Sequence, residues 1–361
     1  ALVCDWVRNW AAHRGNHVAV HFEGADISYA QLADLIDAHA AALHGLSVGV
    51  GDRVALLGYN TPEYIATIFA CARIGAIAVP LNWRLAPPEH SFILADSGAT
   101  VLLADAELVA ATATIDAPLI AHRRLLSGCQ AHWPRLLDAT PTAEAPRYGS
   151  ADAPLLLVYT SGTTGRPKGA VLTQHAVWVN AINGQHAHDL TAADHVLTNL
   201  PMFHVGGLNI QTLPALHAGA QITLHRQFDP GVTLIDIAQR RPTLALLVPA
   251  TMSAMVNHPA WRETDLSSLR MLMTGSSTVP DALIRAFHNR GIPVGQIYGA
   301  TETCPIAAFL RAEHAFDHMG STGKAPIHGE LTIATAGGAV PLPGQKGEIL
   351  VRGGNIMREY W

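Results

Sequence analysis

Apolar residues recur along this chain in two spacings, and the switch between them marks out successive units. The stretch ISYAQLADLIDAHAAALHGLSVGVGDRVALLGYN (27–60) reads as a helix, a Gly-rich turn and a buried strand at Val54–Leu57. TPEYIATIFACARIGAIAVPLN (61–82) repeats the scheme: a proline near a helix start, an apolar helix, a glycine, then a strand at Ala76–Pro80. HSFILADSGATVLLAD (90–105) does so again. Helices alternating with continuous apolar strands predict a parallel sheet covered on both faces. Residues 106–150 lose this rhythm and gain Pro, Ala and Thr, the texture of a peripheral stretch.

APLLLVYTSG (153–162) is a short apolar strand running straight into a Gly-rich segment, and a second alternating block follows it. Its strands are expected at Val196–Leu200, Ala220–Leu224, Leu244–Val248 and Met271–Thr274, with helices between. Beyond about residue 320 the texture becomes GELTIATAGGAVPLPGQKGEILVRGG, short period-2 strands with Gly/Pro turns, as in a small β-rich lobe. The expected organisation is a first α/β unit over 1–175, a second over 176–320, and the start of the β-rich lobe over 321–361. No repeat of fixed period stands out.

Composition narrows the functional classes. The chain has 361 residues, 49% hydrophobic and 14% charged, ample for a large core. A formal charge of −5 without a basic stripe argues against nucleic-acid binding. Cys4, Cys71, Cys129 and Cys304 lack C-x-x-C spacing, so neither a disulfide framework nor a zinc site is expected, and a cytoplasmic location fits. The most apolar stretch, Ile65–Leu81, contains Arg73 and Pro80 and is too short for a membrane span. No charged n-region precedes an apolar h-region, as a signal peptide would require. The histidine-rich stretches HAHDL (186–190) and EHAFDH (313–318) offer no third ligand at metal spacing and read as solvent-exposed. The tryptophans are dispersed and read as packing residues. Self-association to a homodimer is left open.

The candidate chemistry starts at YTSGTTGRPKGAVLTQ (159–174). A strand ending in Ser-Gly-Thr-Thr-Gly brings several backbone N–H groups and hydroxyls to one point. Glycine permits close approach, such a nest binds an anion, and Lys168 adds a full positive charge. Polyphosphate is the natural guest. The order Lys168-Gly169-Ala170 is not that of a Walker A loop, which needs Gly-Lys-Ser/Thr.

YTSGTTGRPKG resembles the phosphate loop of the adenylate-forming superfamily, which includes acyl-CoA synthetases, firefly-type luciferases and the adenylation domains of peptide synthetases. LPMFHVGGL (200–208) resembles that family's acyl-site segment, MTGSSTVP (273–280) the segment between adenine and acyl group, and IYGATET (297–303) its adenine and magnesium motif. GEILVRGGNIMREYW (347–361) resembles the lead-in to its ribose-binding motif. The resemblance covers essentially the whole chain. It implies the fold of the family's N-terminal domain: α/β, two helix-flanked, largely parallel sheets plus a small β-rich lobe.

The implied reaction joins a carboxylate to the α-phosphorus of ATP, releases pyrophosphate, and passes the acyl group of the adenylate to a thiol, usually that of coenzyme A. Two anions must meet, so the site needs charge neutralisation and positioning more than a protein nucleophile. By resemblance, Thr160, Ser161, Gly162, Thr163, Thr164, Gly165 and Lys168 hold the β- and γ-phosphates. Tyr298 lies against adenine, with Gly299 and Ala300 beside it, Thr301 bonds the α-phosphate, and Glu302 holds Mg²⁺. His204 flanks the acyl carboxylate. Gly275, Ser276 and Ser277 line an open pocket between nucleotide and acyl group. Val205, Gly206, Gly207, Cys304, Pro305 and Ile306 complete the acyl wall. Adenylation domains for amino acids usually carry an Asp at the place matched by His204, to pair with the ammonium group. None stands here, so a fatty or aryl acid is expected.

Full-length relatives continue past this point with a ribose-binding Asp, a hinge and a mobile C-terminal lobe bearing a catalytic lysine. The chain does not begin with Met and breaks off at REYW, so a fragment of something longer is expected. Glu359 stands where the family commonly has Gly. Two alternatives remain at this stage. One is an adenylating enzyme with another outcome: a ligase serving a carrier-protein thiol, or a luciferase-type oxygenase. The other is a non-catalytic nucleotide-binding protein of the same fold.

Overall fold

The continuous apolar runs become strands whose alternate residues serve two different cores. A computed structural model describes residues 2–130, 132–139, 145–160, 166–335, 337–342 and 344–361. In chain order the strands are β1 (Val18–Phe22), β2 (Ala25–Ser28), β3 (Arg53–Leu57), β4 (Ile77–Pro80), β5 (Val101–Ala104) and β6 (His122–Leu125). They continue as β7 (Pro154–Thr160), β8 (Lys168–Thr173), β9 (His195–Thr198), β10 (Gln221–Leu224), β11 (Leu244–Leu247) and β12 (Met271–Gly275). The last are β13 (Val294–Gly299), β14 (Ile306–Phe309), β15 (Gly329–Ala334), β16 (Glu348–Gly353) and β17 (Glu359–Tyr360).

Seven strands form one sheet in the order β17-β8-β7-β4-β3-β5-β6, and eight form a second in the order β14-β13-β12-β11-β9-β10-β1-β2. Both are parallel through their centres and antiparallel only toward edges: β7 with β8 and β8 with β17 in the first, β13 with β14 and β1 with β2 in the second. β15 and β16 pair as a separate antiparallel ribbon, the small β-rich element. The four strands expected in the second block are all present.

Side chains alternate across a strand, and the cores follow that period. Val54 and Leu56 of β3 share one large core with Leu244 and Leu246 of β11, so this core lies between the two sheets. Ala55 and Leu57 face a separate cluster outside the first sheet, and Ala245 and Leu247 another outside the second. Helix Pro62–Ile74 belongs to the shared core, and every residue but Glu63 is buried. Thr61 caps it, its hydroxyl accepting from the Tyr64 amide, Pro62 opens it, and Gly75 closes it at φ 75°. At roughly 1.5–3 kcal/mol for each large apolar side chain buried, this helix alone is a substantial part of what holds the sheets together.

Two features depart from the sequence expectations. β1 and β2 are the chain's first strands yet join the second sheet, β1 lying parallel to β10. Residues 122–125 form an edge strand in the stretch read as irregular. Its sequence, HRRL, has a single apolar residue, the buried Leu125, as an edge position tolerates.

Candidate active site

The parallel strands of both sheets end toward one cleft, the usual place for a ligand in open α/β sheets. From the first sheet, β7 ends at Thr160 and β4 ends at Pro80. From the second, β12 ends at Gly275 and β13 at Gly299. A cavity of about 620 Å³ lies among them, and its lining includes Thr160, His204, Ser276, Gly299, Ala300 and Thr301. A neighbouring cavity of about 490 Å³ is lined by Trp83, Arg84, Phe203, Arg226, Phe228 and Val248, among others. His204, Phe203, Gly206 and Ser276 belong to both, so the two cavities meet at His204.

Thr160 and Lys168 face each other across the hairpin of β7 and β8 and so fix the two ends of the phosphate-loop segment. Ser161, Gly162, Thr163, Thr164 and Gly165, expected to hold phosphate, lie outside the described residues. Lys168 is exposed, and its Nζ stands 5.2 Å from the centre of the Tyr360 ring.

His204 opens a single helical turn, Val205–Gly207, and the backbone N–H of Gly206 donates to its Nδ1 at 3.1 Å. That bond makes Nδ1 an acceptor, so the neutral ring carries its proton on Nε2, as a donor toward the cavities. The surrounding wall desolvates the ring and lowers its pKa, which favours this neutral form. Asn60, buried after β3, holds the preceding loop in place. Its Nδ2 donates to the carbonyls of Leu200 (2.9 Å) and His225 (3.0 Å), and its Oδ1 accepts from the Met202 amide (2.8 Å). Gly207 sits where a Cβ would come within 2.2 Å of the Pro201 carbonyl oxygen.

The turn after β13 is held just as closely. A Cβ on Gly299 would lie 1.5 Å from the Pro305 carbonyl oxygen, so only glycine fits. The Thr303 hydroxyl donates to that carbonyl at 2.6 Å. Buried asparagines support the turn from behind. Asn209 reaches the Cys304 carbonyl, Asn180 accepts from the Ile306 amide, and Asn355 donates to the carbonyls of Thr303 (2.6 Å) and Ile306 (2.9 Å). Thr301 is buried, and Tyr298, at 38% exposure, presents an open aromatic face. Ser276 adopts φ 72°, a left-handed conformation that costs a non-glycine residue about 1 kcal/mol or more and is met where function over-determines the backbone. Ser277 is exposed beside it, and Gly275 packs tightly on Ile297.

Of the expected acyl wall, Val205, Gly206 and Pro305 line the larger cavity, and Gly206 and Gly207 the smaller. Cys304 and Ile306 are fully buried behind that wall, and burial pushes the Cys304 thiol up to about 12. Trp83, Phe228, Arg84 and Arg226 went unrecognised in the sequence. Trp83 meets Phe203 and Tyr59 edge-on, and the Arg84 guanidinium lies 4.6 Å from the Trp83 ring centre. They come from two loops without a motif, so only the fold assembles them.

The histidine reading needs one correction. His314 and His318 are exposed, but His188 is fully buried with its Nδ1 2.6 Å from the Gly184 carbonyl oxygen. No group of three or more His, Cys, Asp or Glu among the described residues is placed to hold a metal ion. The Glu302 carboxylate suits Mg²⁺ riding on nucleotide phosphates, since that ion uses one or two protein carboxylates and keeps water and phosphate oxygens. Among the described residues no helix is long and apolar enough to cross a membrane.

The profile of the AMP-binding enzyme family matches residues 7–361. The chain belongs to that family. It is 48% identical over 365 residues to the indoleacetate–CoA ligase of Aromatoleum aromaticum, covering 99% of this chain and 71% of that protein. It is 39% identical to the feruloyl-CoA synthase of an Amycolatopsis species, with the same coverage on both sides. The N-terminal domain of FACL13 from Mycobacterium tuberculosis superposes with a TM-score of 0.91 at 30% identity, over 100% of this chain and 91% of that one. An anthranilate CoA ligase in complex with anthranoyl-AMP superposes with a TM-score of 0.92 at 25% identity, over 100% of this chain and 71% of that one. The family member described here is an AMP-forming acid–thiol ligase: it activates a carboxylic acid with ATP and Mg²⁺ and forms the thioester with coenzyme A.

Proposed function

We propose that the acid is an aryl acid of the arylacetic or arylpropenoic kind, held with its ring on the aromatic wall and its carboxylate at His204. The meeting of the two cavities at His204 carries this reading. One side of that junction is walled by Trp83, Phe203 and Phe228, flat surfaces suited to edge-on or stacked contact with a planar ring. The other side runs to Thr160 and Thr301. The names of the indoleacetate and feruloyl relatives point the same way.

In this reading Nε2–H of neutral His204 donates to the substrate carboxylate and aims it at the α-phosphorus. Thr301 bonds the α-phosphate. Lys168, Thr160 and residues 161–165 take the β- and γ-phosphates, and Tyr298 covers the adenine. Glu302 holds Mg²⁺, which when bound offsets phosphate charge. A carboxylate oxygen bonds to phosphorus as the bond to pyrophosphate breaks. The thiol of coenzyme A then attacks the acyl carbon and AMP leaves with the carboxylate oxygen. Glu89, the carboxylate in the lining of the larger cavity, already serves as a helix cap, its Oε2 accepting from the Ala86 amide at 2.9 Å.

The test is pyrophosphate release and thioester formation by the full-length protein, with arylacetates, cinnamates, benzoates, dicarboxylates, amino acids and fatty acids from short to long. The reading requires kcat/KM to be highest for arylacetates or cinnamates. A preference for long-chain fatty acids would overturn it.

A further inference from the structure

Residues 355–361 stitch the two sides of the cleft together. On the second sheet's side, Asn355 anchors to the carbonyls of Thr303 and Ile306, and the Met357 amide donates to the Glu302 carbonyl at 2.8 Å. On the first sheet's side, β17 pairs with β8. The Arg358 amide donates to the Val171 carbonyl at 2.9 Å and the Trp361 amide to the Gly169 carbonyl at 2.7 Å. Tyr360 lies within this strap, 43% exposed, so packing alone does not account for it. Its hydroxyl donates to Glu302 Oε1 at 2.6 Å, and the face of its ring receives Lys168 Nζ at 5.2 Å from the centre.

Lys168 and Glu302 carry opposite charges beside the same cleft, yet each meets Tyr360 and they form no ion pair with one another. We propose that Tyr360 is a positioning residue for nucleotide binding: its hydroxyl fixes the Glu302 carboxylate with Oε2 left for the metal, and its ring keeps Lys168 apart from Glu302. The inference rests on the roles proposed above for Glu302 and Lys168. A glutamate side chain loses rotamer freedom when it is fixed, and a carboxylate already held by a hydroxyl has met part of that cost before the metal arrives. An ion pair between Lys168 and Glu302 would have to be broken by each incoming nucleotide. A cation on a ring face is held more loosely and yields to a phosphate.

Tyr360→Phe removes the hydroxyl and keeps the ring. In the full-length protein, binding of β,γ-methylene-ATP is followed by calorimetry across a Mg²⁺ titration, beside the KM values for Mg²⁺, ATP and the acid. The Mg²⁺ concentration for half-maximal nucleotide binding should rise about tenfold, the lower end for a hydrogen bond to a charged group. Binding without metal, the acid KM and the thermal midpoint should stay as in the parent. Glu302→Ala should raise the Mg²⁺ requirement by itself, and adding Tyr360→Phe to it should change nothing further. An unchanged Mg²⁺ requirement in Tyr360→Phe, or equal losses for Mg²⁺, ATP and acid with a lowered midpoint, would overturn the proposal. If Glu302→Ala itself left the Mg²⁺ requirement unchanged, the fault would lie in the metal role of Glu302 beneath it.

Discussion

Acidification from pH 7 to pH 5 should take several kcal/mol from this fold, and it should do so through imidazoles. His39 and His188 are both fully buried. The Thr67 hydroxyl donates to the Glu63 carbonyl, so it accepts from His39 Nδ1 at 2.9 Å. His188 Nδ1 donates to the Gly184 carbonyl at 2.6 Å. In each ring the buried Nε2 has no partner, so protonation would place an N–H⁺ where nothing accepts it. Burial accordingly holds both at a pKa of about 4. In the unfolded chain an imidazole titrates near 6.5. Between those values the unfolded state binds more protons, so stability is complete above about pH 6.5 and falls as the pH drops toward 4. At 1.36 kcal/mol per unit, each ring loses about 2 kcal/mol between pH 7 and pH 5, hence about 4 kcal/mol for the pair, against a total of about 5–15 for a folded domain. His195 and His217, also held near 4 by burial, push the same way. Burial raises Glu63 and Asp105, which oppose the loss only where carboxyl groups begin to take protons. Urea unfolding followed by circular dichroism at pH 7, 6 and 5 measures the slope. The double variant His39→Asn/His188→Asn should be less stable at pH 7 and lose the share of the pH dependence that these two rings carry, about half of what the four histidines supply together. A parent midpoint that stays flat from pH 7 to pH 5, or a double variant with the parent's slope, would refute the reasoning.

Three further outcomes are expected. Glu302→Ala should lower kcat/KM at limiting Mg²⁺ by about 100-fold, the scale of a lost charged contact of roughly 3 kcal/mol, with an unchanged melting curve; pyrophosphate release across a Mg²⁺ series checks it. Lys168→Ala should raise the KM for ATP by about tenfold or more, as one charge-assisted phosphate contact is lost, while the acid KM holds; initial rates across an ATP series decide it. Asn60→Ala strands two carbonyls and one amide in the interior and should destabilise by about 3 kcal/mol while raising the acid KM, because the loop carrying His204 loosens; thermal unfolding and acid saturation curves report the two effects separately.

The central strands were legible because each is a continuous apolar run closed by a turn, as in Val54–Leu57 and Leu244–Val248, and burial on both faces leaves that trace. Sheet membership was not legible for β1, because its parallel partner β10 lies far along the chain and no local period encodes that pairing. The motif segments at 200–208, 273–280 and 297–303 gather around the cleft, since their glycines and hydroxyls mark tight turns at strand ends. What stayed hidden was the support. Nothing in the sequence singles out Asn60, Asn180, Asn209 and Asn355, yet each is a buried strut bonding loop carbonyls or amides around the cleft. His188 reads as polar surface, and only the helix Gln174–His188 turning it inward reveals otherwise. Trp83 reads as packing and does pack against Tyr59 and Phe203, and the fold makes it a cavity wall as well.

The pairing of β1 with β10 also sets a timetable for biosynthesis. Phe22 pairs with Leu224, so roughly two hundred residues must leave the ribosome between one strand and its parallel neighbour. At about 5–20 residues per second, β1 waits some 10–40 s with only the β2 hairpin beside it, its other edge open. The first sheet lacks this delay among β3, β4 and β5, which follow one another closely along the chain. Nascent chains halted before residue 220 should therefore carry an ordered β3–β5 unit and an unsatisfied leading hairpin, which makes the first thirty residues the segment that chaperones would shield during translation.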